Sequence, residues 1–179
     1  RIVDRRGHVL EENQPRLEEV ISPQTAYVMT DLLEGVVQEG TGWRIRAMKR
    51  PAAGKTGTTN DLMDAWFMGF TPELVTGVWV GYDDRVPMGR GETGSRAASP
   101  IWLQFMQEAL EGLPVEDFPV PGGVVFAKID AEEGLLASAH SEKTVFQAFV
   151  EGTEPTEHVP PPRRAKSGHF SQFDMDFAQ

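Results

Sequence analysis

The chain contains no cysteine, which excludes disulfides, thiolate nucleophiles and cysteine metal ligands. It has no apolar run near the roughly 20 residues of a membrane span, and no leader pattern opens it, so any anchor is expected upstream. Basic residues are in deficit: 17 Lys and Arg against 27 Asp and Glu leave a formal net charge of −10. That balance argues against a nucleic-acid partner and favours solubility. The histidines, His8, His140, His158 and His169, stand apart with no i,i+4 pair, so neither a metal site nor another cofactor is expected. No Gly-x-Ser-x-Gly occurs, which removes the hydrolase nucleophile elbow. Asp83-Asp84 could suggest a carboxylate pair, but neighbours on a strand point to opposite faces, and a solvated turn after Tyr82 explains them more simply.

What is present centres on Arg50-Pro51-Ala52-Ala53-Gly54-Lys55-Thr56-Gly57-Thr58-Thr59-Asn60. A phosphate-binding loop is one reading of Gly54-Lys55-Thr56. That motif needs a glycine five residues before the Gly-Lys pair and a helix directly after it. Position 49 is Lys49, Pro51 removes a donor, and Asp64-Ala65-Trp66-Phe67-Met68-Gly69-Phe70 downstream reads as strand. A strand is therefore expected here as well, with Lys55 on one face and Thr56 on the other. Gly57 leaves room for a ligand or a neighbouring backbone. A cation with hydroxyl donors suits a carboxylate, and a strand-edge N–H suits a developing oxyanion. The plainer alternative is a polar edge strand with a snorkelling lysine.

Neighbouring blocks decide between them. Gly40-Thr41-Gly42, the Lys-Thr-Gly-Thr-Thr-Asn run, Asp64-Ala65-Trp66-Phe67, Val75-Thr76-Gly77-Val78-Trp79-Val80-Gly81 and Ala98-Ser99-Pro100-Ile101-Trp102 follow one another in order. Together they resemble the transpeptidase domain of class A penicillin-binding proteins, most closely the penicillin-binding protein 1A group. Phe149-Val150-Glu151-Gly152-Thr153-Glu154-Pro155 is similar to the close of that family's C-terminal part. The resemblance covers about Val3 to Pro155.

The resemblance implies an acyl-enzyme route in which a Ser-x-x-Lys serine attacks a D-Ala-D-Ala peptide, a Ser-x-Asn motif supports proton transfer, and Lys-Thr-Gly completes the site. It implies that Lys55 helps organise the proton network and attracts the substrate carboxylate. The Thr56 and Thr58 hydroxyls would bind that carboxylate, the Thr58 N–H would be an oxyanion donor, and Gly57 would keep the floor open. Thr59 and Trp66 are the further substrate-binding candidates. The implied ligands are the D-Ala-D-Ala stem peptide of peptidoglycan and β-lactams. The implied setting is the periplasmic face of the inner membrane, with a glycosyltransferase domain, a membrane anchor and the remaining transpeptidase part upstream.

One departure is sharp. Of the serines Ser22, Ser95, Ser99, Ser138, Ser141, Ser167 and Ser171, none has a lysine three residues on or an asparagine two residues on. The nucleophile is therefore absent from these residues. The chain is expected to be a C-terminal portion of a longer polypeptide and inactive by itself. Two other readings keep the same segment: a non-catalytic peptide- or partner-binding module, and a D,D-carboxypeptidase or β-lactamase relative.

Along the chain, Arg5-Arg6-Gly7 predicts a hairpin between Ile2-Val3-Asp4 and His8-Val9-Leu10. Ser22-Pro23 opens a helix whose core stripe is expected through Ala26, Met29, Leu33 and Val36-Val37, ending at Gly40 and Gly42. The 64–70 and 74–82 runs, joined at Thr71-Pro72-Glu73, should pair as an antiparallel hairpin covered on both faces. A glycine-rich connector, Gly89 to Gly94, precedes a second helix capped by Ser99, with Trp102, Phe105, Met106 and Ala109 on one stripe. Trp66, Trp79 and Trp102 are expected to pack, with Trp66 near enough to line the cleft. Strands follow at 124–130 and 145–150. The predicted class is α+β, an antiparallel sheet flanked by helices, and the resemblance implies the penicillin-binding protein/β-lactamase-like transpeptidase fold in part. The expected divisions are 1–114 with the Lys-Thr-Gly motif, 115–155 as a strand-containing extension, and 156–179 as a Pro-rich polar tail, disordered or docked.

Overall fold

The structure is a computed structural model that describes residues 1–14 and 18–162. From position 163 onward the expected tail lies outside the described residues. The chain divides into two compact units, Arg1–Val124 and Val125–Gln179.

The first unit opens with the hairpin of β1 (Ile2–Val3) and β2 (Val9–Glu11). Its turn is held by Asp4, whose carboxylate accepts the Arg6 and His8 N–H groups at 2.7 and 2.9 Å. Helix α1 (Pro23–Gln38) starts as its sequence dictates, with Pro23 in the first turn and the Ser22 hydroxyl accepting from the Thr25 N–H at 3.1 Å. At the far end Gly40 folds back so tightly that a Cβ there would meet the Val36 carbonyl at 2.9 Å. A 3-10 helix (Trp43–Met48), which the sequence pattern did not predict, leads into the sheet.

The sheet has the order β3-β4-β5, formed by Ala53–Thr58, Asp64–Phe70 and Val75–Gly81, all antiparallel. The β4–β5 connection is a tight turn closed by the Thr71 N–H on the Leu74 carbonyl at 2.9 Å. After a single wide turn at Gly94–Ala98, helix α2 (Ser99–Ala109) packs back on the sheet. Ser99 is not its cap as predicted; that hydroxyl lies inside the helical run and donates to the Ser95 carbonyl at 2.8 Å.

The core forms on one face of the sheet. Ala65 and Phe67 point into it and join Val37 of α1, Ile45 and Met48 of the 3-10 helix, and Trp102 and Met106 of α2. Phe67 and Trp102 meet edge to face, with centroids 5.2 Å apart at 67°. Gly54 and Gly69, directly opposite each other, make room for them. A Cβ on Gly54 would stand 2.8 Å from Phe67 Cζ, and one on Gly69 would stand 2.7 Å from Phe67 Cε1 and 2.9 Å from Trp102 Cζ2. The Trp102 indole N–H is satisfied by the Thr76 carbonyl at 3.0 Å.

Two expectations fail here. The sheet is not covered on both faces: the alternate residues Trp66, Met68 and Trp79 are 42, 49 and 45% exposed. Met29 and Phe105, expected in core stripes, are 53 and 50% exposed. Apolar side chains identify a face that favours burial but not which partner covers it.

The second unit pairs β6 (Val124–Asp130) with β7 (Thr144–Val150). Its turn is organised by Asp130, whose carboxylate accepts the Glu133 and Glu132 N–H groups at 3.0 and 2.9 Å. Those bonds hold its pKa below the ordinary value. Leu136 adds short bridges, antiparallel to Ile129 and parallel to His158.

In the first unit the proline-rich segment after α2 is strapped down. The Arg50 guanidinium donates to the carbonyls of Leu110, Leu113 and Pro114 at the end of α2, where the helix dipole also favours a cation. Phe118 stacks edge to face on Phe70 at 5.6 Å. The Gln24 side-chain amide donates to the Gly122 carbonyl at 2.6 Å. Against this strap lies Glu34 of α1, whose pKa is pushed up to about 7 by burial first and then by the carboxylates of Asp31 and Asp117. Because the folded value lies above the ordinary 4.5, the associated stability is complete below that value and is lost as pH rises through the folded pKa. Glu34→Gln is therefore expected to be the more stable form at pH ~8, by on the order of 1 kcal/mol after discounting for solvent screening, with little difference near pH ~4. Urea unfolding of both proteins across that pH range checks it, and parallel pH profiles would refute it.

Candidate functional site

The site is the outer edge of β3, the sheet's terminal strand. The Thr59 N–H donates to the Asp64 carbonyl at 3.0 Å, which fixes the parity of the β3–β4 ladder. Hydrogen-bonded and non-hydrogen-bonded pairs alternate in an antiparallel ladder. Gly57↔Trp66 and Lys55↔Met68 are therefore bonded pairs, while Thr58↔Ala65 and Thr56↔Phe67 are not. The N–H and C=O groups of Thr56 and Thr58 consequently point away from β4. Among the described residues no strand pairs with that edge.

The side chains divide by face as the period of two requires. Lys55 and Gly57 share the exposed face with Trp66, and Thr56 and Thr58 take the other. Lys55 is exposed, and its ammonium folds back to the edge, donating to the Thr56 carbonyl at 2.9 Å. A cation, an outward carbonyl and an outward N–H two residues further on thus line one strip of backbone. Gly57 has no side chain beside Trp66; a Cβ there would stand 3.2 Å from the Trp66 Cβ.

The threonines are all engaged, in different ways. Thr56 Oγ1 lies 2.7 Å from Thr41 Oγ1, which sits just after α1. Thr58 Oγ1 accepts the Gly94 N–H at 3.1 Å and keeps its own proton to donate. Thr59 turns inward, accepting the Asp64 N–H at 2.8 Å and donating to Asp64 Oδ2 at 3.3 Å. The structure thus brings Lys55, Thr56 and Thr58 together at the edge with Gly57 and Trp66 beside them, and uses Thr59 to close the β3–β4 turn. Trp66 tilts against Trp79 at 6.4 Å, and the Trp79 indole N–H donates to Asp64 Oδ1 at 2.9 Å.

Three supporting residues escaped the sequence-based choice of site residues: Thr41, Asp64 and Gly94. Thr41 and Gly94 act from 15 and 36 residues away, and only their three-dimensional approach reveals them. Gly94 is required sterically, since a Cβ there would collide with the Trp66 carbonyl and approach the Gly57 carbonyl to 2.6 Å. Among the described residues no group of acidic or histidine side chains is arranged to hold a metal ion, and no helix is long and apolar enough to cross a membrane. Ser22 caps α1 and Ser99 back-bonds within its helical turn.

Comparison with known proteins shows the family. The model of the penicillin binding protein transpeptidase domain matches residues 2–107, and that of the penicillin-binding protein 1A C-terminal domain matches residues 120–160. The chain is 46% identical over 155 residues to penicillin-binding protein 1A of Aquifex aeolicus (strain VF5), covering 87% of this chain and 21% of that protein. It is 42% identical over 147 residues to penicillin-binding protein 1A of Pseudomonas aeruginosa, covering 81% and 18%. The chain thus spans about a fifth of the length of the curated relatives it matches. Among solved structures, penicillin-binding protein 1A from Haemophilus influenzae superimposes with a TM-score of 0.69 at 37% identity, over 79% of this chain and 22% of that one.

The ladder parity gives a direct test. Amide hydrogen exchange should be slow at Lys55 and Gly57 and faster by about 100-fold or more at Thr56 and Thr58, whose N–H groups face the open edge. Equal protection at Gly57 and Thr58 would refute the assignment. Gly94→Ala should cost about 2 kcal/mol or more in chemical denaturation, because backbone rather than a flexible side chain occupies the space.

Proposed function

This chain belongs to the penicillin-binding protein transpeptidase family, and on that premise we propose that it is the Lys-Thr-Gly wall of a serine D,D-transpeptidase that cross-links peptidoglycan stem peptides. The observation that carries the reading is the open β3 edge, where the Lys55 ammonium rests on the Thr56 carbonyl and the outward Thr58 N–H follows two residues further on along the same strip. In such a reaction a serine oxygen bonds to the carbonyl carbon of the penultimate D-alanine. The peptide C–N bond breaks, and the serine proton leaves on the departing amine. An acceptor amine then attacks the ester, forms a new amide, and returns a proton to the serine oxygen.

Each residue has a definite part in this proposal. Lys55 draws in the terminal carboxylate and belongs to the proton network. The Thr56 and Thr58 hydroxyls bind that carboxylate, the latter with the proton left free by its bond from Gly94. The Thr58 N–H is aimed outward, as a donor to a developing oxyanion must be. Gly57 and Trp66 form the floor and side wall, and Thr59 fixes the turn below. Residues 1–114 supply this wall, and 115–155 form an accessory extension. The Ser-x-x-Lys and Ser-x-Asn motifs come from outside these residues, together with an inner-membrane anchor and a glycosyltransferase domain, on the periplasmic side. β-Lactams acylate the same serine.

Labelling with a fluorescent penicillin tests the proposal. A longer polypeptide carrying a Ser-x-x-Lys segment should be acylated, and Lys55→Ala should slow acylation by about 100-fold or more, as loss of a preorganised electrostatic group does. Residues 1–179 alone should not label. Stoichiometric labelling of that chain would overturn the divided site, and undiminished labelling of the Lys55→Ala protein would overturn the role of Lys55.

A further inference from the structure

Beyond the end of α1 the chain makes a turn, Gly40-Thr41-Gly42, that is fixed from several sides. The Val36 carbonyl accepts two N–H groups from it, that of Gly40 at 3.1 Å and that of Gly42 at 3.0 Å. Both glycines lie so near this carbonyl that a Cβ would stand 2.9 Å from it at Gly40 and 3.2 Å at Gly42. The Trp43 N–H reaches back to the Gly40 carbonyl at 3.3 Å, and the Ile45 N–H to that of Gly42 at 2.9 Å. Val37 and Ile45, on either side, are anchored in the core, and α1 packs against β3. Thr41, between two glycines, is the one side chain that this turn presents.

Its hydroxyl meets a single partner, Thr56 Oγ1, at 2.7 Å. A contact between two hydroxyls can run in either direction, and each has only one proton to give. If Thr56 donates to Thr41, it has nothing left for a ligand. If Thr41 donates, the Thr56 oxygen is satisfied and its proton is free. Thr58 already has the second arrangement: its oxygen accepts the Gly94 N–H at 3.1 Å from outside the strand, and its proton remains available.

We propose that Thr41 is a positioning residue for carboxylate recognition, donating to Thr56 Oγ1 so that the Thr56 proton is directed at the terminal carboxylate of the ligand. The proposal rests on the acyl-transfer reading, in which whatever binds the β3 edge ends in a carboxylate. Thr41 does not touch that ligand; it acts through Thr56. The two bonds then run in one direction, Thr41 to Thr56 to carboxylate, and each polarises the other. Because the turn is fixed by its own backbone bonds, little ordering has to accompany binding. A charged acceptor gains more from such a relay than a neutral one, so Thr41 favours ligands with a free carboxylate.

The test uses the full-length polypeptide that carries this chain. It is treated with benzylpenicillin, whose carboxylate is free, or with benzylpenicillin methyl ester, and acylation is read as protection from later labelling by fluorescent penicillin. Thr41→Val keeps the shape of the side chain and removes its hydroxyl. It should slow acylation by the free acid about five- to tenfold, the scale of one hydrogen bond. The loss should lie in the dissociation constant, with the limiting acylation rate retained, because the carboxylate is held before and during the reaction alike. The ester, a neutral acceptor, should show a clearly smaller loss. Thr41→Ser, which keeps the donor, should recover most of the rate. Equal losses with acid and ester, a fall confined to the limiting rate, or a Thr41→Ser protein as slow as Thr41→Val would overturn the proposal. If the unaltered polypeptide takes up no penicillin, the transpeptidase reading fails and this assignment falls with it. If it is acylated and the Thr41→Val protein matches it, the role of Thr41 alone fails.

Discussion

The constraint on which the first unit depends is the seat of two aromatic rings above two glycines. Phe67 and Trp102 occupy the space that side chains at Gly54 and Gly69 would fill, so α2 can approach the sheet only where β3 and β4 are both bare. Burying two such rings and their mutual contact is worth several times the net contribution of any one polar interaction around the site. Phe67 is also the register partner of Thr56. The packing that locks the helix to the sheet therefore locks the strand that carries the site, and it does so from the inner face.

Parity then turns packing into chemistry. Once Gly57 and Lys55 are committed to β4 through the backbone, Thr56 and Thr58 have to present theirs to the open side. The outward Thr58 N–H is thus a by-product of the ladder and not a separate device. Support from afar completes it: Thr41 reaches Thr56 from beyond α1, and Gly94 reaches Thr58 from the start of the wide turn before α2. An edge strip of a few residues is consequently held by three distinct parts of the chain.

Local signals in the sequence were legible where a single residue type imposes the geometry. Ser22-Pro23 starts α1, Thr71-Pro72-Glu73 closes a hairpin, and the bounds of β6 follow from an apolar run between glycines and acids. The family resemblance likewise rests on ordered blocks, and the fold and transpeptidase domain match it. Illegible were features set by contacts between distant residues. The 3-10 helix at Trp43–Met48 and the wide turn at Gly94–Ala98 have no period to read, and Ser99 looked like a cap because Pro100 follows it. Met29, Trp66 and Met68 carry the side chains of a core yet stand open here. Hydrophobicity states a preference for burial, and only the neighbours present decide whether it is met.

The open β3 edge has one more consequence. A strip of outward N–H and C=O groups that suits an extended peptide is equally a template for any other strand, including the same strip on a second molecule. Natural sheets guard such borders with charge, and here the guard is the Lys55 ammonium resting on the Thr56 carbonyl. One side chain thus protects the border against indiscriminate self-pairing and, by its sign, would favour a strand that ends in a carboxylate. The charge that guards the edge also selects the sign of what can approach it.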